Sequence, residues 1–123
     1  MSAHTLAKIS NGLCDDTLSC IIRAWNYGSG SSDNKRKPII VAPAMNTAMW
    51  EHPLTQKQLD TMKGFWSSMP NDSNDNESSS MMENGCQTFV VNPQVKLLAC
   101  GDLGAGAMAD IDDIVNMARQ CLS

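Results

Sequence analysis

The amino-acid sequence predicts an α/β domain built on a parallel sheet. Short β-branched runs at 39–41 and 87–91 are typical of buried strands. They alternate with segments in which apolar residues recur at helical spacing, and such alternation favours helices layered on a parallel sheet. With a possible third extended piece at 95–99, the predicted sheet has two or three strands and is therefore thin.

Composition and charge narrow the class of protein. The 123 residues suit one domain, and 42% hydrophobic with 18% charged residues indicate a globular chain. The formal net charge of −4 gives no electrostatic case for binding nucleic acid or an anionic membrane. No apolar run reaches the roughly 20 residues of a membrane helix, and a signal peptide is not recognisable. We therefore expect a cytoplasmic protein whose five cysteines are thiols. The spacings between these cysteines match no zinc site.

Two helical pieces are predicted at the start of the chain, with a break at 11–12. The apolar residues of the first piece are Leu6, Ile9 and Leu13. Asp15 or Asp16 can cap the second piece. Its predicted buried stripe consists of Leu18, Ile21, Ile22 and Trp25. Because no strand precedes these helices, we expect the start to be internal to a longer domain, and we interpret 28–37 as a solvated loop.

Two further helices are predicted. Pro53 suits the first turn of a helix that ends by Pro70. Its predicted inner face carries Leu59, Met62, Phe65 and Trp66. The polar segment 71–85 cannot bury enough apolar surface to offset its ordering entropy, so we predict a mobile insertion. Asp110 can cap the last helix. Its apolar face is predicted to comprise Ile111, Ile114, Val115, Ala118, Cys121 and Leu122.

The stretch 42–50 combines residue types that suit the edge of a ligand pocket. Pro43 cannot donate to a strand ladder, so the strand should end near it. In an open α/β sheet, ligands bind at the carboxyl ends of strands. Asn46 offers an amide there, and the neighbouring thioethers and indole belong to Met45, Met49 and Trp50. The alternative interpretation is a strand-to-helix turn in which Asn46 caps a helix and its neighbours are ordinary core.

The segment 100–109 is a second candidate site element. Its three glycines and three alanines allow close backbone approach to a ligand, or movement as a flap. The pattern formally fits a dinucleotide fingerprint, but the strand and the acidic residue that should follow it are missing. Cys100 alone would be interpreted as a small buried apolar residue. Beside Asp102 and the glycines it becomes a candidate acid or nucleophile.

Three blocks in the same chain order resemble one family. They read Ser-Ala-His-Thr-Leu-Ala-Lys at 2–8, continuing to 25; Pro-Ala-Met-Asn-Thr-Ala-Met-Trp at 43–50; and Ala-Cys-Gly-Asp-Leu-Gly-Ala-Gly-Ala-Met-Ala at 99–109. They resemble the flavin-dependent cysteine decarboxylases, specifically the phosphopantothenoylcysteine decarboxylase branch of coenzyme A biosynthesis. The resemblance implies a three-layer flavodoxin-like or Rossmann-like parallel sheet, incomplete here, and a homotrimer, or a heterotrimer of family members, with FMN between subunits. Residues 1–123 would then be the C-terminal portion of a flavoprotein domain, with a low-complexity insertion at about 71–85.

The same resemblance implies roles for individual residues. Flavin contacts are implied for Ser2, Ala3, Thr5, Ala44 and Met45. His4 stands where the family has an asparagine, and nothing in the sequence directs it towards substrate. Asn46 corresponds to the residue that holds the substrate carboxylate, with Met49 as a neighbouring contact. Cys100 corresponds to the acid that protonates the reaction intermediate. The flanking substrate contacts are Ala99 and Gly101.

The implied reaction is FMN-dependent decarboxylation of 4′-phosphopantothenoylcysteine to 4′-phosphopantetheine. A neutral amide such as Asn46 suits the carboxylate, because it binds without the strong charge pairing that would resist loss of CO2. A flap that carries Cys100 would shield the intermediate from water. The family's catalytic histidine and phosphate-binding loop precede the first block and are not among these residues. We therefore expect impaired activity from this chain alone.

Two alternatives stay open, of which the first belongs to a different class of function. The first is a non-catalytic regulatory or partner subunit of the same family. The second is a flavoprotein decarboxylase that acts on a peptidyl C-terminal cysteine. The presence of both Asn46 and Cys100 favours catalytic ancestry, and the Ala-Cys-Gly-Asp sequence at 99–102 favours the coenzyme A branch.

Overall fold

The computed structural model describes residues 1–27, 37–67, 88–97 and 103–122. In chain order, the elements within these ranges are α1 (Ala3–Ser10), α2 (Thr17–Arg23), β1 (Ile39–Val41), α3 (Thr47–Trp50), α4 (Pro53–Ser67), β2 (Thr88–Val90), β3 (Gln94–Leu97), β4 (Leu103–Ala107) and α5 (Ile111–Leu122). The predicted insertion at 71–85 lies outside the described residues, as does all of the predicted loop at 28–37 except its last residue. Outside them too lie three predicted site residues, Ala99, Cys100 and Gly101.

A parallel pair of strands, β1 and β2, lies at the centre of the fold. Ile39 pairs with Thr88, and the register continues to Val41 and Val90. The Val91 N–H donates to the Val41 carbonyl at 2.9 Å, which extends the ladder by one more bond. The strand prediction at 39–41 is confirmed, and so is the 87–91 prediction over its described residues. β1 ends before Pro43, as expected of a residue that has no N–H to donate.

The other two strands, β3 and β4, form an antiparallel hairpin with an irregularity between Gln94 and Val95. The extended piece predicted at 95–99 is confirmed as far as Leu97, but it does not join the parallel sheet. The described part of the glycine-rich stretch, for which the sequence allowed close backbone approach or movement as a flap, includes strand β4 from Leu103 to Ala107. β4 pairs antiparallel with β3, because the link from 97 to 103 is too short for the crossover that parallel strands need, whereas an antiparallel pair needs only a turn.

The core lies between α1, α4 and the parallel strands. Its buried cluster comprises Leu6, Ile9, Ile39, Val41, Leu59 and Met62. Leu59 and Met62 confirm two positions of the predicted inner face of α4, and Phe65 packs against the cluster while half-buried. The side chain of Trp66, the fourth predicted position, lies outside the described residues.

The apolar faces predicted for α2 and α5 are buried only in part. Leu18 and Ile21 are 52% and 49% exposed, and the buried residue of α2 is Ser19. Along α5, Ile111 and Leu122 are 70% and 85% exposed. Both helices lie where they were predicted. The predicted burial is confirmed in part, since Ile22 and Trp25 pack half-buried against the core, and it is wrong at the exposed positions given above. Periodicity identifies an amphipathic helix and does not reveal what covers its apolar face.

An ion-pair cluster fixes the turn between α1 and α2. Lys8 Nζ pairs with Asp15 Oδ1 at 2.5 Å and also with Asp16 Oδ2. Asp16 caps α2, since its Oδ1 accepts the Ser19 N–H at 2.8 Å, and the Ser19 hydroxyl completes a capping box. The hydrogen bond from Lys8 and the bonds from Ser19 hold the pKa of Asp16 well below its usual value of 3.8.

Asp16→Asn should make the stability of the fold less sensitive to acid. Asparagine still caps α2, but it loses the charge that pairs with Lys8. Because the folded-state pKa of Asp16 is depressed, its contribution is complete above about pH 4 and is lost as the pH falls through the folded-state value. The stability difference between wild type and variant should therefore be largest near pH 7 and shrink below about pH 4.

Urea unfolding between about pH 7 and pH 2 measures this difference. Asp113→Asn, which alters an exposed carboxylate on α5, serves as the control. If the free energy of unfolding of wild type exceeded that of Asp16→Asn by the same amount down to about pH 2, the stability difference would not come from the charge of Asp16.

Candidate functional site

Backbone hydrogen bonds bring the three sequence blocks together. The N-terminal amine of Met1 donates to the Ala42 carbonyl at 2.5 Å, and the Ala44 N–H donates to the Met1 carbonyl at 2.8 Å. This is the pairing of a parallel ladder, and it places the first block beside the second. The Met45 N–H donates to the Gly106 carbonyl at 3.0 Å and joins the second block to strand β4 of the third.

Gly106 allows the hairpin to approach the 42–50 segment closely. Its φ of 123° lies in a region that side chains disfavour. A Cβ atom at this position would lie 2.4 Å from the Met45 carbonyl oxygen and 3.3 Å from Trp50 Cβ. The contact between the second and third blocks therefore requires glycine at 106. The glycine content predicted a close approach of the backbone to a ligand. The approach is observed, but the group approached is the 42–50 segment of the same chain.

Asn46 caps the short helix α3. Its Oδ1 accepts the Met49 N–H at 2.8 Å, which confirms the capping interpretation of the local pattern. Since only the amide oxygen can accept this bond, the amide orientation is fixed and Nδ2 is directed elsewhere. Within the described part of the chain Nδ2 has no partner, and the residue is exposed. Capping thus leaves both Nδ2 hydrogens available to a ligand, so the two interpretations of Asn46 are compatible.

A cleft of about 480 Å³ joins residues from two of the blocks. Its lining includes Ala3, Asn46, Met49, His52, Thr55 and Gln58. The volume is in the range of small-molecule sites. Ala3 was predicted as a flavin contact, and Asn46 and Met49 as substrate contacts, so the structure brings these three predictions to one place. A second cleft of about 300 Å³, lined in part by Leu13, Tyr27 and Phe65, contains none of the predicted site residues.

The remaining predicted flavin contacts lie near the start of α1 and in the segment after β1. Ser2 Oγ accepts the Thr5 N–H at 3.2 Å and lies 3.0 Å from Thr5 Oγ1. Ser2 is exposed and Thr5 is half-buried, so their hydroxyls remain within reach of a ligand. Ala44, whose side chain is only a methyl group, is held near Ser2 by the hydrogen bond from its N–H to the Met1 carbonyl. The Met45 sulfur accepts a hydrogen bond from Thr55 Oγ1 at 3.8 Å. Exposed hydroxyls and small side chains fit the polar edge and flat face of a flavin.

His52 is a cleft residue that the sequence analysis did not select. It directly precedes Pro53, and its Nδ1 accepts the Leu54 N–H at 3.1 Å. Its position in the sequence could have identified it, because it lies six residues after Asn46, on the other side of a single helical turn. The exposed His4 does not line the cleft.

Metal-binding groups and membrane-spanning helices were sought in the described ranges. Residues 1–27, 37–67, 88–97 and 103–122 contain no group of three His, Cys, Asp or Glu side chains placed to hold a metal ion. Over the same ranges, no helix combines the length and apolar character needed to cross a membrane.

Comparisons with known proteins match nearly the whole chain to one family. The family described as Flavoprotein matches residues 1–123. The phosphopantothenoylcysteine decarboxylase of Mus musculus is 39% identical over 124 residues, covering 100% of this chain and 46% of the relative. The enzyme of the same name from Oryza sativa is 42% identical over 121 residues, covering 96% and 42%. The chain spans about half the length of the curated relatives it matches.

Solved structures show the same relationship. A cysteine-to-serine mutant of PPC decarboxylase complexed with pantothenoylaminoethenethiol matches with a TM-score of 0.70 and 38% identity, over 98% of this chain and 50% of the other. The FMN-binding protein AtHal3 matches with a TM-score of 0.65 and 38% identity, over 98% and 49%. These matches confirm the predicted flavodoxin-like α/β fold with a partial sheet. Since the family match extends from residue 1 to residue 123, this chain belongs to the Flavoprotein family.

Proposed function

We propose that this chain supplies the Asn46 and Cys100 portion of an FMN-dependent decarboxylase that converts 4′-phosphopantothenoylcysteine into 4′-phosphopantetheine. The observation that carries the proposal is the cleft in which Ala3 meets Asn46 and Met49. Similarity to phosphopantothenoylcysteine decarboxylases and to an FMN-binding protein supports the choice of substrate and cofactor.

FMN, when bound, would supply a reversible two-electron oxidation: the substrate thiol gives up two electrons, so that the electron pair left by CO2 has a stable acceptor, and the saturated product regains them. The residues proposed to hold it are Ser2, Ala3, Thr5, Ala44 and Met45. The Nδ2 hydrogens of Asn46 bind the substrate carboxylate, and the Met49 N–H keeps the amide in that orientation. The half-exposed Met49 side chain packs against the substrate. Cys100 delivers a proton to the product carbon, with Ala99 and Gly101 as flanking contacts.

The proposal includes a cytoplasmic homotrimer, or a heterotrimer with other family members. The exposed apolar side chains of α2 and α5 support an association between subunits, because large apolar patches usually mark interaction surfaces. Light scattering on the purified chain, alone and mixed with a full-length relative, measures the assembly. A chain that stays monomeric in both samples would contradict it.

Reconstitution tests the function. The chain is purified alone and together with a polypeptide spanning the first half of the Mus musculus relative. Flavin absorbance and CO2 release from 4′-phosphopantothenoylcysteine are then recorded. We expect the mixture to retain flavin and to release CO2 faster than the chain alone. A mixture that binds no flavin and stays inactive would contradict the catalytic proposal and favour the partner-subunit alternative.

Substrate choice is tested in the same assay. A peptide with a C-terminal cysteine serves as the competing substrate, since the sequence left that class open. Faster CO2 release from the peptide than from 4′-phosphopantothenoylcysteine would contradict the coenzyme A assignment.

Cys100→Ser should separate the oxidation and protonation steps. A serine hydroxyl is a much weaker acid than a thiol, so the reconstituted variant should still release CO2 and then stall before 4′-phosphopantetheine. Mass spectrometry should find a decarboxylated product two hydrogens lighter than 4′-phosphopantetheine. Cys121→Ser on α5 is the matched control and should turn over normally. Normal formation of 4′-phosphopantetheine by Cys100→Ser would contradict the acid role.

A further inference from the structure

We infer that His52 is a second hydrogen-bond donor of the Asn46 cleft, and that it binds an oxygen of the substrate other than the carboxylate. The inference rests on the proposed function and deepens it. It assigns His52 to binding and specificity, with no part in proton transfer.

The backbone of α4 fixes the ring of His52. Nδ1 accepts the Leu54 N–H at 3.1 Å, and the His52 carbonyl accepts the Thr55 N–H at 2.9 Å. Because Nδ1 serves as an acceptor, the proton of the neutral ring is on Nε2. His52 therefore presents one directed N–H donor, oriented by the first turn of α4.

This donor is available at the cleft. Within the described ranges Nε2 makes no hydrogen bond, His52 is exposed, and the residue lines the same cleft as Asn46. Asn46 likewise has its oxygen engaged by the backbone and its N–H groups available. The cleft thus presents two side-chain donors whose acceptor atoms are both occupied by backbone N–H groups. Such a pair suits a ligand rich in oxygen acceptors.

The spacing of the two donors decides what each one binds. Asn46 precedes the four-residue helix α3 and His52 follows it after Glu51. At about 1.5 Å of rise per residue, the four residues of α3 alone separate Asn46 from His52 by roughly 6 Å along the helix axis. That separation suits two acceptors along one extended molecule better than the two oxygens of a single carboxylate. With the carboxylate at Asn46, His52 is left for an oxygen of the acyl portion, which substrate and product share.

Substrate and product therefore distinguish the two donors. 4′-Phosphopantetheine lacks the carboxylate but keeps the acyl portion. His52→Ser should weaken binding of both compounds by about three- to tenfold, the effect of one lost hydrogen bond. Asn46→Ser should weaken binding of the substrate alone.

Calorimetric titration of the reconstituted mixture described above, in the presence of FMN, measures these affinities. Serine at position 52 can still cap α4, so thermal unfolding should be unchanged. If His52 had only this structural role, His52→Ser would therefore bind both compounds with wild-type affinity. His52→Asn, which keeps a capping oxygen and adds amide donors, should restore part of the affinity. Glu51→Gln, at the neighbouring exposed position outside the cleft lining, should bind like wild type.

The outcomes separate the inference from the proposed function. Wild-type affinity of His52→Ser for both compounds overturns the inference and leaves the function standing. In the reconstituted enzyme, a fall in kcat with unchanged KM also overturns it, because that pattern indicates a role in the chemical step. A wild-type reconstituted mixture that binds neither compound overturns the proposed function, and the inference with it.

Discussion

Gly106→Ala should detach the hairpin from the 42–50 segment and destabilise the whole cleft. The added methyl group would lie 2.4 Å from the Met45 carbonyl oxygen, and φ at this position is 123°. Backbone strain of this kind costs about 1–3 kcal/mol, and loss of the Met45–Gly106 hydrogen bond costs about 1 kcal/mol more. We expect a loss of roughly 2–4 kcal/mol in the free energy of unfolding, or a hairpin that no longer docks.

Urea unfolding and hydrogen exchange at the Met45 amide distinguish these two results. Rapid exchange at Met45 with little change in global stability would indicate local release of the hairpin. In either case, binding at the cleft should weaken, because Asn46 follows directly after Met45. Gly64→Ala is the matched control. It lies in α4 with nothing within 4 Å of the added Cβ, so alanine should be neutral or stabilise the helix by up to about 1 kcal/mol. Equal behaviour of the two variants would contradict the close-approach argument.

Local chemistry predicted the parts of the fold that depend on neighbouring residues. The β-branched run at 39–41, the stop before Pro43 and the cap at Asn46 each follow from a few consecutive side chains, and the structure has all three. The inner face of α4 was also predictable at Leu59 and Met62, because those apolar positions meet the sheet. Where the partner surface is absent from the described chain, as at Ile111, the same kind of pattern predicted burial that the structure does not show.

Contacts between distant segments could not be derived from periodicity. Three glycines occur in 100–109, yet only the approach to the Met45 carbonyl shows that Gly106 requires glycine. The meeting of Ala3 with Asn46 depends on the backbone bonds of Met1, which no local pattern encodes. Family resemblance grouped these residues in advance. His52 was missed because its role depends on the direction of a ring that the backbone of α4 fixes.

Asn46→Asp should strongly weaken substrate binding while it leaves α3 intact. Aspartate caps a helix as well as asparagine does, so the bond from the Met49 N–H is retained. The two N–H donors are replaced by a carboxylate oxygen, which cannot donate and which repels the carboxylate of the substrate. A hydrogen bond to a charged group contributes about 1.5–3 kcal/mol. With the repulsion added, we expect the affinity for 4′-phosphopantothenoylcysteine to fall by roughly 100-fold or more.

Two further substitutions at position 46 separate the possible causes. Asn46→Ser keeps the cap without adding charge, so it should lose only the donors and fall between wild type and Asn46→Asp in substrate affinity. Asn46→Ala loses the cap as well and should lower stability by about 1 kcal/mol. Calorimetric titration with 4′-phosphopantetheine is the decisive comparison, because that product has no carboxylate. Equal weakening of substrate and product binding in Asn46→Ser would show that the substitution disturbs the cleft, whereas wild-type substrate binding by Asn46→Asp would leave Asn46 as a helix cap alone.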